Sequence, residues 1–221
     1  MIGGSCLGSV AKNLAAGMSE FEIAGMISEY CLRQQARPWV ILVAADERIS
    51  QFRHPIPTQK KFEKIVMMVV GVEKYGLIVS CTRLVSFGSP GSDLQNRHRA
   101  VANIDTALIS GTTVGRKLTD IFTDGLTAYK ENGYEDEWQL HHQGGPTGYS
   151  TRELRVQHET GGKICRNQAF AWNPSITGTK SEDTLIVTEN GPQIISSTQN
   201  WPMIEGKWQD KTLLRPAILV R

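Results

Sequence analysis

From Gly8 to Met18 the chain is rich in Ala, Leu, Val and Asn without alternation, and after Gly17-Met18 comes Ser19-Glu20-Phe21-Glu22. Ser19 with Glu22 three positions on predicts a capping box, and Phe21, Ile23, Ala24, Met26, Ile27, Tyr30 and Leu32 follow at helical spacing. Two successive helices are expected, the second ended by Pro38 and Trp39. Residues 40–45 form a short apolar, β-branched run of the kind that makes a buried strand. Two further β-rich runs, 64–72 and 77–85, are separated by Glu73-Lys74-Tyr75-Gly76, which suits a hairpin.

The same order then repeats. Residues 93–109 and 114–130 carry helical periodicity, with Gly125 a modest interruption, and strand-like segments follow at 138–141, 168–172 and 184–188. Helix, helix, strands occurring twice predicts a structural duplication: an α+β architecture with a curved antiparallel sheet and helices covering one face. The open face of the sheet is the expected site. Glycine-rich connections at 88–91, 144–148 and 161–162 mark surface loops, none long enough to link domains, so 1–221 is expected to be a single domain.

Composition excludes more than it identifies. With 40% hydrophobic and 21% charged residues in 221, the chain is neither disordered nor fibrous. Lys plus Arg number 24 against 22 Asp plus Glu, a net charge of +2, and no run of five like charges occurs. Nucleic acid and anionic membranes, which require a concentrated basic face, are therefore not expected partners. The longest apolar stretch, 65–72, falls far short of the roughly 20 residues needed to span a bilayer. The first residues lack the basic and apolar regions of a secretory signal. Four cysteines, at 6, 31, 81 and 165, have neither CxxC spacing nor disulfide-scaffold density, which fits reduced thiols and a cytoplasmic protein. Residues 111–117 lack P-loop spacing, no GxGxxG joins a strand to a helix, and Asn173-Pro174-Ser175 is no glycosylation acceptor.

The informative segments are DERISQFRHP (46–55), GVEKYGLIVSCTR (71–83), HHQGGPTGY (141–149) and QAFAWNPSITGTKSEDTLIVTE (168–189), with Gly-Met-Ser-Glu at 17–20. In these blocks and this order the chain resembles the creatinase/aminopeptidase P/prolidase family, whose catalytic domain is the pita-bread fold. SEDTLIVTENG at 181–191 is the most specific piece. The duplication read from the hydrophobic pattern is what that fold requires.

The resemblance implies a dinuclear metal site with five ligands: two Asp, one His and two Glu. Placed one by one on this chain, the first Asp becomes Val69, two residues before Gly71. The second becomes Ser80, in Ser-Cys-Thr-Arg where the family has D-x-T-R. The histidine corresponds to His142, with His141 as the neighbouring alternative. The first Glu becomes Asn173, and the last remains Glu182. Valine cannot coordinate, and Ser and Asn are neutral, weak donors. One carboxylate and one imidazole do not balance the four positive charges of two dications, so no metal and no other cofactor is expected. Glu73 is the nearest carboxylate that could substitute.

The groups that survive suggest a different chemistry. His54 resembles the family histidine that reaches the substrate, and a neutral imidazole serves as a general base near pH 7. Creatinase, a metal-free relative, implies such a route. The candidate catalytic residues are His54, His142 and Glu182; His141, Tyr149, Asn173 and Arg83 are candidates for binding substrate. Arg152-Glu153 reads as either an internal ion pair or a substrate contact, and Trp172 as a core residue or a ligand stack. The expected activity is hydrolysis of a C–N bond in a small nitrogenous or peptide substrate, as in Xaa-Pro peptidases or creatinase, without the metal pair. A non-catalytic binding module and a Xaa-Pro metallopeptidase with unusual ligands are the alternatives. The resemblance also implies a homodimer and a preceding N-terminal domain; this chain begins almost at the first pita-bread helix.

Overall fold

The computed structural model describes residues 2–221. In chain order the first half contains α1 (Ile2–Asn13), α2 (Glu20–Arg33), β1 (Arg37–Ala45), α3 (Arg48–Gln51), β2 (Ile65–Lys74) and β3 (Leu77–Ser86). The second half contains α4 (Ser92–Gly111), α5 (Leu118–Glu131), β4 (Gly144–Thr147), β5 (Ala169–Trp172), β6 (Ser175–Ile176), β7 (Thr179–Lys180), β8 (Asp183–Thr188) and β9 (Gly191–Ile194). A C-terminal hairpin of β10 (Met203–Trp208) and β11 (Lys211–Pro216) and a short β12 (Leu219–Val220) complete it.

The duplication takes the form of two four-stranded sheets, ordered β1-β2-β3-β12 and β4-β5-β8-β9. All pairings are antiparallel except β12 on β3. Each sheet carries its own helix pair. Cys6, Leu7, Val10, Ile23 and Ile27 pack on Met68, Val70 and Cys81, while Ile104, Leu108, Ile121 and Phe122 pack on Phe170, Trp172 and Leu185. The sheets meet where Thr82 pairs with Glu182: Thr82 N–H donates to Glu182 O over 3.1 Å. The Thr184 hydroxyl bonds both Ser80 N (2.8 Å) and Ser80 O (2.9 Å). Among the described residues no helix is long and apolar enough to cross a membrane.

The capping box forms as expected, with Glu22 N donating to Ser19 Oγ over 3.2 Å and Ser19 N to the Glu22 carboxylate over 2.6 Å. Four expectations are corrected. The first helix runs over 2–13 rather than 8–18. The second ends at Arg33, and Pro38 and Trp39 lie within β1, an edge strand with a bulge between Pro38 and Val40, where a proline costs no ladder bond. The later helix begins at Leu118, residues 114–117 forming the turn before it. Residues 137–140 form a 3₁₀ turn instead of a strand, and the strand is the glycine-bearing 144–147, read from sequence as surface loop. Gly144 (φ +107°) and Gly145 (φ +150°) are buried there, and a Cβ would stand 2.2 Å from Ala171 O or 2.3 Å from Leu154 O. Only glycine admits so close an approach of backbones.

Candidate active site

At the junction of the sheets lies an open cleft of about 170 Å³. Strand alternation places its floor: Val69 and Gly71 of β2 and Ser80 of β3 face it, while Met68, Val70 and Cys81 point into the helical core. Asn173 follows β5, Lys180 closes β7, and Glu182 immediately precedes β8. His54 stands in the loop after α3, His142 follows the 3₁₀ turn, and Arg152 and Arg155 come from the loop after β4.

The start of β8 is held rigidly by a buried ionic network. Asp183 receives Arg83 (2.9 Å) and Arg215 (2.8 Å), and Arg215 also reaches Asp105 (2.7 Å). The Ser196 hydroxyl adds a bond to Asp183 (2.6 Å), and Ser181 one to Asp105 (2.5 Å). Glu182 is thereby presented to the cleft while its neighbour Asp183 faces the core. Its carboxylate accepts from Arg152 over 2.8 Å and from the Thr82 hydroxyl over 2.5 Å.

Three imidazoles converge beside it. The Nε2 atoms of His54 and His141 are 3.1 Å apart, and the His141 and His142 rings stack at 4.5 Å. His142 lines the cleft; His141 sits behind it, and both also border an adjoining hollow beside Phe122, Trp138 and His158. Burial lowers the pKa of all three, aided at His54 and His141 by Lys180 and at His142, which falls to about 3, by Arg152 and Arg155. All three are neutral at pH 7. Lys180, only 3% exposed, is itself pushed down to about 8 by burial.

The five positions that the resemblance matches to family metal ligands all line this one cleft: Val69, Ser80, His142, Asn173 and Glu182. They do not fit two divalent ions, because they offer a single carboxylate that is already bonded to Arg152 and Thr82. Glu73 supplies no replacement; it points away toward Arg37. The three imidazoles, with nitrogens within 4.8 Å of one another, are neutral donors of the kind that suit one borderline ion. Lys180, Arg152 and Arg155 on the same walls would repel it.

Several expected contacts lie elsewhere. Arg83 is spent in the core, bonded to Asp183, Thr198, Ser196 O and the backbone of Thr82 and Glu182. Tyr149 is 79% exposed outside the cleft. Arg152 pairs with Glu182 rather than Glu153, whose carboxylate instead accepts from the backbone of Tyr149 and Ser150. Trp172 is fully buried, its indole N–H donating to Thr112 over 2.8 Å. Lys180 and Arg155 were not anticipated: Lys180 lies within the family-like block 168–189 but was given no role, Arg155 lies outside every quoted block, and only the folded chain brings them together.

The chain belongs to metallopeptidase family M24, whose model matches residues 2–189. An uncharacterized peptidase of Staphylococcus epidermidis is 25% identical over 150 residues, 65% of this chain and 43% of that protein. Another, from Staphylococcus aureus, is 23% identical over 201 residues, 86% and 57% of the two chains. The chain thus spans about half the length of these relatives. Among solved structures, the Xaa-Pro dipeptidase from Bacillus anthracis superposes with a TM-score of 0.80 at 18% identity, over 100% of this chain and 60% of its own. The N-terminal domain of FACT complex subunit SPT16 from chickpea shares the fold with a TM-score of 0.74 at 10% identity, covering 88% and 56%. The fold is therefore the pita-bread fold of prolidases.

Proposed function

We propose that this cleft hydrolyses a C–N bond in a small nitrogenous or peptide substrate, of the Xaa-Pro or creatine-like kind, without a dinuclear metal centre. The observation that carries the reading is the convergence of His54, His141 and His142 beside Glu182, in a cleft whose other former ligand positions are Val, Ser and Asn. With His54 Nε2–H donating to His141 Nε2, the Nδ1 lone pair of His54 is left to take a proton from water. The hydroxide so formed adds to the carbon, and His54 returns the proton to the departing nitrogen. Glu182 holds Arg152 against the cleft and its charge favours the imidazolium that forms at His54. The same reading takes residues 1–221 as one unit acting as a cytoplasmic homodimer, whose mass light scattering measures directly.

The test is a panel of Xaa-Pro dipeptides, amides and guanidino compounds assayed with and without chelator. Turnover that survives EDTA and falls at least about 100-fold in kcat on His54→Ala supports the reading. Stoichiometric bound metal with chelator-sensitive cleavage, or full activity of the His54→Ala protein, overturns it. Tight binding with no turnover of any compound favours a binding module instead.

A further inference from the structure

A second hollow, of about 470 Å³, adjoins the cleft across His141 and His142, and no step of the proposed reaction uses it. It is built by the segment that follows β4. Near its start, Glu153 N–H donates to Pro146 O (2.8 Å) and Val156 N–H to Gly144 O (2.9 Å), which fastens the segment to this edge strand. Farther on, Ile164 N–H donates to Arg116 O (2.9 Å), and Leu118 N–H donates back to Gly162 O (3.2 Å), which fastens it to the start of α5. Held at both ends, the segment brings His158 against Phe122 of α5 and Trp138 of the 3₁₀ turn. The three rings stand pairwise at near right angles: Phe122 to His158 at 5.1 Å and 83°, Trp138 to His158 at 5.5 Å and 82°, Phe122 to Trp138 at 5.9 Å and 88°. All three line the hollow. Rings so spaced let one cation stand within about 6 Å of every centroid, the reach of a cation–π contact.

The remaining walls decide between an apolar guest and a cationic one. Among the described residues no lysine or arginine lines this hollow, whereas Lys180, Arg152 and Arg155 line the cleft. The one carboxylate on its walls, Glu159, is exposed and makes no hydrogen bond or ion pair among the described residues. Gln143, on the inner wall, is already committed: its amide donates to Trp138 O (3.1 Å) and His141 O (2.5 Å) and accepts from Tyr129 (2.8 Å). A bare ammonium would lose its water here without regaining enough acceptors. Ring faces and a single carboxylate suit a cation that carries methyl groups in place of N–H donors.

We infer that the hollow bounded by Phe122, Trp138 and His158, with Glu159 at its rim, binds a methylated ammonium group. Binding there is separate from the proposed hydrolysis and is measured without turnover.

The experiment titrates the full chain, in mildly alkaline buffer, with choline and separately with the uncharged isostere of choline in which carbon replaces nitrogen, followed by isothermal calorimetry. Support is saturable choline binding that is at least about tenfold tighter than that of the isostere. It is weakened at least about fivefold by Trp138→Leu and by His158→Leu, about threefold by Glu159→Gln, and left unchanged by Trp39→Leu on β1. His54→Ala, which stops the proposed reaction, leaves choline binding in place, so failure of one reading is told apart from failure of the other. Equal binding of choline and its isostere, no saturable binding of choline, or choline binding undiminished in folded Trp138→Leu and His158→Leu proteins overturns the inference. Melting curves of each variant establish that it is folded.

Discussion

Replacing Lys180 by Met should make the protein more stable. Burial lowers this lysine from 10.5 to about 8, and one pKa unit corresponds to about 1.4 kcal/mol. Keeping the ammonium charged in the fold at pH 7 therefore costs about 3 kcal/mol. Methionine fills much the same volume without charge, but leaves Arg53 O without its donor, a loss of about 1 kcal/mol. The net gain is about 2 kcal/mol, or roughly 4–8 °C in Tm for a chain of this size. The pH dependence carries the same sign. Between about 8 and 10.5 the unfolded chain binds more protons at this site than the folded one, so wild-type stability rises with pH through that window. The advantage of the variant should thus shrink from pH 7 to pH 10.5. Urea unfolding of both proteins across this range measures it. A variant that is less stable than wild type at pH 7, or a gap that does not change with pH, would refute the reasoning.

Two further outcomes follow from the core. Arg215→Met leaves Asp105 and Asp183 buried without their shared cation and should cost about 3–5 kcal/mol, measured by denaturant unfolding, with most of the loss recovered when Asp105→Asn is added. His98 is buried between Thr179 and Pro216 O, and burial lowers it to about 4. Its folded pKa lies below the unfolded value, so stability falls as pH drops from 6.5 through 4, by about 3 kcal/mol in total. His98→Gln should flatten that acid limb, which circular dichroism melts at stepped pH report.

What could be read from the sequence was whatever is local. Ser19 and Glu22 announce a helix start because both partners of the capping box lie within one turn. The hairpin of β2 and β3 is legible from two β-branched runs around a turn, and its register places Val69 opposite Thr82 and Gly71 opposite Ser80. Gly144 and Gly145 misled because glycine marks a loop in most contexts, and the reason for it here is the neighbouring backbones of Ala171 and Leu154. His54, His142 and Glu182 were found through the family resemblance, and the fold gathers them in one cleft. Arg83 looked like a candidate for substrate because nothing in the chain shows that Asp183 turns inward to meet it. Lys180 stayed invisible for the converse reason: it stands inside a family-like block, but its burial depends on Arg53, more than a hundred residues earlier, and on cleft walls that only the fold assembles.

The pairing of Glu182 with Arg152 has a mechanical side. The carboxylate is fixed to β3 through Thr82 on one oxygen and fastens the 150–155 segment on the other, so it works as a latch between the seam of the two sheets and the rim that carries Arg155. Neutralising it releases that rim along with the charge. Loss of activity on Glu182→Gln would then combine an unfastened wall with a weakened base, and the anchored side chain of Thr82 is where the two contributions can be separated.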